Sequence, residues 1–118
     1  MLFVCYSNCS TCKKAQTWLD AHNVSVQVRD IKTENPSLDE LKLWHQKSGL
    51  PLKKLFNTSG MAYRELGLKD RLDTMSEEEQ YQLLASDGML VRRPILAGDD
   101  FAFFGFKEKD WAERLGKA

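Results

Sequence analysis

The chain opens on Leu2-Phe3-Val4-Cys5-Tyr6, an unbroken apolar run of strand-forming residues that stops abruptly at Ser7-Asn8. A run without polar alternation predicts a strand covered on both faces. From Ser10 to Asn23 the less polar positions Cys12, Ala15, Leu19 and His22 recur at steps of three and four, with Trp18 beside them, while Lys13, Lys14, Thr17 and Asp20 fall elsewhere around the wheel. That spacing predicts an amphipathic helix with Asn23 at its C-terminal cap. Ser25 to Asp30 then alternates with period two, a second strand. Strand, helix and strand within about 30 residues make a βαβ unit with parallel strands.

Beyond Pro36, Ser37-Leu38-Asp39-Glu40 has the form of a capping box, and the helix it starts should run to Ser48, closed by Gly49 and Pro51. Shorter helical stretches are expected over Leu52 to Phe56, Met61 to Leu66 and Ser76 to Ala85, the last opening on Glu77-Glu78-Glu79. Pro94 to Ala97, a Gly98-Asp99-Asp100 turn and Phe101 to Phe104 read as a hairpin, and Lys107 to Leu115 as a closing helix that buries Trp111 and Leu115. The expected architecture is α/β. A small mixed four-stranded sheet with flanking helices is built from residues 1–35 and 88–118, and residues 36–87 form an inserted helical subdomain.

Length and charge narrow the function classes. A chain of 118 residues supports one domain, here 1–118. Its 17 Lys and Arg balance 17 Asp and Glu, which removes the bulk attraction behind non-specific nucleic-acid or acidic-membrane binding. The apolar start is too short for a signal or a membrane span, so a cytoplasmic protein is expected. Three cysteines are too few for a disulfide framework, and a close pair among them points to redox or metal chemistry.

That pair is Cys9-Ser10-Thr11-Cys12, at the handover from first strand to first helix. Residues three apart at a helix start can bring their sulfurs together, and the free amides and positive dipole end there stabilise a thiolate on the first of them. Cys9 is the expected nucleophile, in a context where thiol pKa values fall to roughly 3.5–7.5 from about 8.5. Ser10, Thr11, Lys13 and Lys14 would help hold negative charge. Cys12, a turn deeper, suits a resolving role. Only Cys5, His22 and His45 could add ligands for zinc, and none has the required spacing, so no metal is expected. Cys5 reads as a core residue, and His22 and His45 as packing or surface groups. Trp18, Trp44 and Trp111, with Phe101, Phe103, Phe104 and Phe106, read as core and sheet rather than a base-stacking platform. In Leu90-Val91-Arg92-Arg93-Pro94-Ile95 two arginines interrupt an apolar run before a candidate cis-proline, and one of them is expected to face the thiolate.

Taken together, Asn8 to Lys14, Tyr63-Arg64-Glu65-Leu66-Gly67-Leu68 and Arg92-Arg93-Pro94-Ile95 resemble the arsenate-reductase-like ArsC family, specifically its Spx/MgsR branch, over nearly the whole chain. The resemblance implies a thioredoxin-like fold with a helical insertion, Cys9 in an anion-holding loop, and Arg93 with cis-Pro94 across from it. It implies no bound cofactor, and an electron donor such as glutathione, glutaredoxin or thioredoxin. Glutaredoxin-coupled arsenate reductases use one cysteine with three arginines. Here only Arg93 matches, Asn57 stands where a second is expected, and Phe104-Gly105-Phe106 lacks the third, which weakens arsenate capture. Cys12 is what the redox-switch branch carries. Gly49 falls near the position through which Spx-like proteins contact the C-terminal domain of the RNA polymerase α-subunit, although the chain lacks their basic C-terminal extension. The expected function is a Cys9/Cys12 thiol-disulfide oxidoreductase or switch. The alternatives are a polymerase-binding regulator and an arsenate reductase.

Overall fold

A computed structural model describes residues 1–117. Its sheet has the order β2-β1-β3-β4, from β1 (Leu2–Cys5), β2 (Gln27–Asp30), β3 (Ile95–Ala97) and β4 (Ala102–Phe104). β1 runs parallel to β2 and antiparallel to β3, and β3 pairs antiparallel with β4. The apolar run at the N-terminus is thus an inner strand. Phe3 and Val4 on it are fully buried, one on each face.

The two faces carry separate layers. On one, Phe3 and Leu96 meet Ala15, Trp18 and Leu19 of α1 (Ser10–Ala21) and Trp111 of α6 (Glu108–Arg114). On the other, Val4, Ile95, Ala102 and Phe104 share a cluster with Leu41 and Trp44 of α2 (Leu38–Ser48), Leu68 of α4 (Leu68–Arg71) and Leu84 of α5 (Glu77–Ser86). α3 (Met61–Glu65) adds Ala62 and Tyr63 at its edge. The helices of the 36–87 segment therefore bury their apolar faces in the same cluster as the sheet.

Local chemistry sets most boundaries. Ser37 accepts from the Glu40 amide at 3.1 Å while Glu40 accepts from the Ser37 amide at 3.1 Å, and Ser76 and Glu79 repeat the exchange at the start of α5. Glu40 also takes both ends of the Arg29 guanidinium, at 2.9 and 2.7 Å, which ties α2 to β2. Gly49 ends α2 at φ 68°, the left-handed cap conformation.

Several boundaries differ from the sequence reading. β1 ends at Cys5 because the Tyr6 amide and carbonyl turn toward the start of α1, and β2 begins only at Gln27. α1 stops at Ala21, with Asn23 just beyond it at φ 55°. The sequence does not signal α4 or the 3₁₀ turns at Leu72–Thr74 and Gly88–Leu90, since elements of three or four residues are too short to show a period. Leu115 is half-buried rather than buried, because α6 has closed at Arg114.

Candidate functional site

The carboxyl end of β1 delivers the chain to the amino end of α1 in four residues. Ser7 and Asn8 turn it, the Cys9 amide donates to the Tyr6 carbonyl at 3.0 Å, and Cys9 takes the N-cap position with extended φ −97° and ψ 118°. Its sulfur then stands where a capping oxygen normally would, accepting from the Cys12 amide at 3.4 Å. One turn on, the Cys12 sulfur is buried beneath and accepts from the Tyr6 amide, also at 3.4 Å. The two thiols are unbonded.

Position drives their acidities apart. Partial burial opposes ionisation of Cys9, but the Cys12 amide, the Cys12 thiol and the Arg93 guanidinium together outweigh it and hold Cys9 below the ordinary thiol range. Burial pushes Cys12 up to about 12, against the Tyr6 amide and aided by the neighbouring Cys9 charge. The outer sulfur is thus the more acidic of the two, and the inner one is held as a thiol near neutral pH.

Arg93 approaches from the other side of the sheet end, across the cis bond to Pro94. Its guanidinium lies 5.2 Å over the Tyr6 ring and donates to the Met89 carbonyl at 3.3 Å, while its buried Nε has no partner among the described residues. Substituting Arg93→Ala removes a positive charge that favours the Cys9 thiolate. The pH profile of Cys9 alkylation is then expected to move to higher pH, and an unmoved profile would show that Arg93 does not act on the sulfur.

Cys9, Ser10 and Thr11 open onto a hollow of about 520 Å³, whose opposite walls are the 57–60 loop, Arg92 and Arg93, and the segment from Phe104 to Lys107. The loop is braced, with Ser59 Oγ donating to Asn57 Oδ1 at 3.3 Å and Arg64 donating to the Ser59 carbonyl at 3.2 Å. Gly105 holds φ 89°, a conformation that side chains rarely adopt, while a Cβ there would meet the Arg92 side chain only at ordinary contact distance, 3.4 Å. The hollow thus combines a thiolate at a helix start with three cations, Arg92, Arg93 and Lys107, an arrangement fit to hold an oxyanion or sulfenate against Cys9.

Cys9, Cys12, Arg93, Pro94, Ser10 and Thr11 therefore come together. Lys13 and Lys14 do not line this hollow; they border a separate groove with Trp18, His22 and Phe106, because the helix turn after Cys12 carries them round to that side. Arg92 and Lys107 are site residues that the sequence reading does not assign. Arg92 is visible there as one of the pair, but nothing near Lys107 marks it, since only the hairpin return brings it opposite Cys9. Cys5 is half-buried on the α1 and α6 face, and burial, with Asp30 and Cys9 adding to it, raises its pKa. His22 stacks on Trp18, and His45 bridges the Tyr81 hydroxyl at 2.5 Å and the Leu50 carbonyl at 2.7 Å, so both serve packing. Trp18, Trp44 and Trp111 are all buried. Among the described residues no group of three His, Cys, Asp or Glu could hold a metal ion, and no helix is long and apolar enough to cross a membrane.

Known proteins resemble this chain in sequence and in fold. The chain is 50% identical over 113 residues to the uncharacterized protein YusI of Bacillus subtilis (strain 168), covering 96% of each. A crystal structure of an ArsC family related protein from Bacteroides fragilis superposes with a TM-score of 0.93 at 49% identity, over 95% of this chain and 94% of that one. The regulatory protein MgsR of Bacillus subtilis (strain 168) is 27% identical over 106 residues, 90% of this chain and 82% of MgsR. The ArsC family model matches residues 5–114, from the end of β1 through the last turn of α6, and with its thioredoxin-like α/β fold this chain belongs to the ArsC family.

Proposed function

We propose that the chain is a cytoplasmic thiol-disulfide redox protein in which Cys9 and Cys12 alternate between dithiol and disulfide. The observation that carries this reading is the capping geometry, which puts an amide-stabilised, half-buried sulfur at the hollow and a buried, protonated one directly behind it. The Cys9 thiolate attacks one sulfur of a substrate disulfide, the substrate S–S bond breaks, and the leaving thiolate takes a proton from solvent. Forming the mixed disulfide removes the Cys9 charge, one of the influences that keep Cys12 protonated, so Cys12 ionises more readily when it is needed. Its thiolate then displaces the second substrate thiol and closes the Cys9–Cys12 bond; two electrons have passed to the substrate. Two thiols of a donor, of the glutathione, glutaredoxin or thioredoxin kind, return the pair to the dithiol. Mild oxidation followed by mass spectrometry tests it, with a loss of two mass units in the wild type and none in Cys9→Ser or Cys12→Ser; absence of the internal disulfide in the wild type refutes the reading.

A second reading has the same disulfide set affinity for a protein, the C-terminal domain of the RNA polymerase α-subunit. Similarity to a regulatory protein favours it. Binding of that domain by the reduced or the oxidised chain, without turnover, would support it, and no binding in either form would end it. A third reading, arsenate reduction, draws on Arg92 and Lys107 at the hollow, which partly replace the charge that Asn57 does not supply. A glutathione and glutaredoxin coupled assay decides it.

The buried thiol also predicts a pH effect. A Cys12 pKa of about 12 in the fold lies above that of an unfolded thiol, about 8.5. Its contribution to stability is therefore complete below the unfolded value and is lost as pH rises through the interval toward 12. Cys9 has the opposite sign, since its lowered pKa contributes stability that is lost only as pH falls. Denaturant midpoints of the reduced wild type should decline more steeply across alkaline pH than those of Cys12→Ala, and parallel curves would contradict the assignment.

A further inference from the structure

Thr58 and Arg92 line two hollows, the one at Cys9 and a second of about 240 Å³ on their far side. The second is bordered by Lys53 and Lys54 from the 3₁₀ turn Leu52–Leu55, by Lys69 of α4 and by the Tyr63 ring, over the buried Leu72. Four cations, with Arg92, thus surround one small space that contains a single acid, Asp73. The ion pairs among the described residues join Arg29 to Glu40, Lys42 to Glu78 and Arg114 to Asp100, and none includes any of these four cations. In a chain of zero net charge such a cluster is a local excess of positive charge that Asp73 offsets only in part. The 57–59 loop that carries Thr58 is braced by the Arg64 to Ser59 and Ser59 to Asn57 bonds, and the Arg92 amide donates to the Leu55 carbonyl at 2.7 Å, which ties down the backbone between the two hollows.

We propose that this basic hollow receives the anionic groups of a small thiol carrying at least two carboxylates or phosphates, while the sulfur of that thiol reaches Cys9 through the first hollow. The proposal rests on the redox reading and names the class of its reductant. The donor thiolate attacks Cys9 of the Cys9–Cys12 disulfide, that S–S bond breaks, and Cys12 leaves and takes a proton from water. A second donor thiolate attacks the donor sulfur of the mixed disulfide, releasing the Cys9 thiolate and the donor's own disulfide. Two donor thiols are oxidised and one protein disulfide is reduced. Lysines without acid partners suit this task, because an arriving anion displaces only water and counterions.

Unreactive S-methyl thioethers separate binding from chemistry. S-methylmercaptosuccinate presents carboxylates and S-methyl coenzyme A presents phosphates, with the S-methyl ether of 2-mercaptoethanol as the uncharged control. Each is titrated into the full chain and followed by amide NMR shifts. At least one anionic thioether is expected to move the amides of Lys53, Lys54, Thr58, Tyr63 and Lys69, and the tighter of the two tells carboxylate from phosphate recognition. The control should move none of them. The combined variant Lys53→Gln, Lys54→Gln, Lys69→Gln, all exposed positions whose loss should leave the circular dichroism unchanged, is expected to weaken that binding about tenfold or more, as is salt raised to about 0.5 M. The proposal is overturned if neither anionic thioether binds, if the variant binds them as the wild type does, or if the shifts are confined to the surroundings of Cys9. Failure of the Cys9–Cys12 disulfide to form would instead end the redox reading, and the thioether titration still decides the hollow.

Discussion

The Cys9→Ser variant is expected to lose its fast reaction with iodoacetamide near neutral pH, with the rate falling about tenfold or more. An ordinary thiol is only a few per cent ionised there. Cys9 alone lies below that range, whereas Cys5 and Cys12, the two thiols that remain, are both raised. A thiol at about 12 is ionised to roughly one part in 10⁵ near pH 7, since each unit is a factor of ten. The fold should survive, because serine is itself a good N-cap residue and keeps an acceptor for the Cys12 amide. Cys12→Ser separates the two roles. It keeps the fast thiol, since the amide bond and Arg93 remain, but leaves Cys9 as a persistent mixed disulfide with any thiol it captures. A Cys9→Ser protein that alkylates at the wild-type rate would remove Cys9 from the chemistry altogether.

Trp111→Ala is expected to be the most damaging single change to stability, at about 3–5 kcal/mol, the range for truncating a large core aromatic. Trp111 is fully buried and touches a ring on every side: Phe103 stacked at 6.1 Å, with Phe106 at 4.8 Å, Trp18 at 6.3 Å and Phe3 at 6.4 Å edge to face. Against a total of about 5–15 kcal/mol for a domain of ordinary stability, such a loss is a large share. Trp111→Phe should cost less, because the indole nitrogen has no hydrogen-bond partner among the described residues and so none is lost. The same layer seats α1, whose first turn holds the Cys9 sulfur. Urea midpoints measure the stability, and the Cys9 alkylation rate of the variant should drift toward that of an ordinary thiol. A loss below about 1 kcal/mol would mean that the layer repacks around the gap.

Much of this site is legible in the sequence. The break from the apolar run to Ser7-Asn8 locates the strand end, and the spacing of Cys12, Ala15 and Leu19 locates the buried side of the helix, so Cys9 has to fall at its start. Two charges interrupting an apolar run before a proline mark Arg92 and Arg93 together, and only the family resemblance singles out Arg93. Lys107 does not follow, because a lone lysine at the start of a helix resembles any surface lysine until the hairpin fold returns it to the same hollow. Lys13 is drawn toward Cys9 by sequence proximity alone, yet one step past Cys12 is about 100° around a helix, enough to place it on a different groove.

Consecutive residues were enough to set the four strands, the longer helices and the place of Cys9 and Cys12 at the start of α1. Capping, apolar period and helix-end electrostatics act over a few residues and are written in consecutive letters. Chain folding alone brings Arg92, Arg93 and Lys107 to the hollow at Cys9, and Lys53, Lys54, Lys69 and Arg92 around a second hollow beside it. Those groupings join segments far apart along the chain. They depend on how the sheet register and the two apolar layers bring those segments together, which no local pattern encodes.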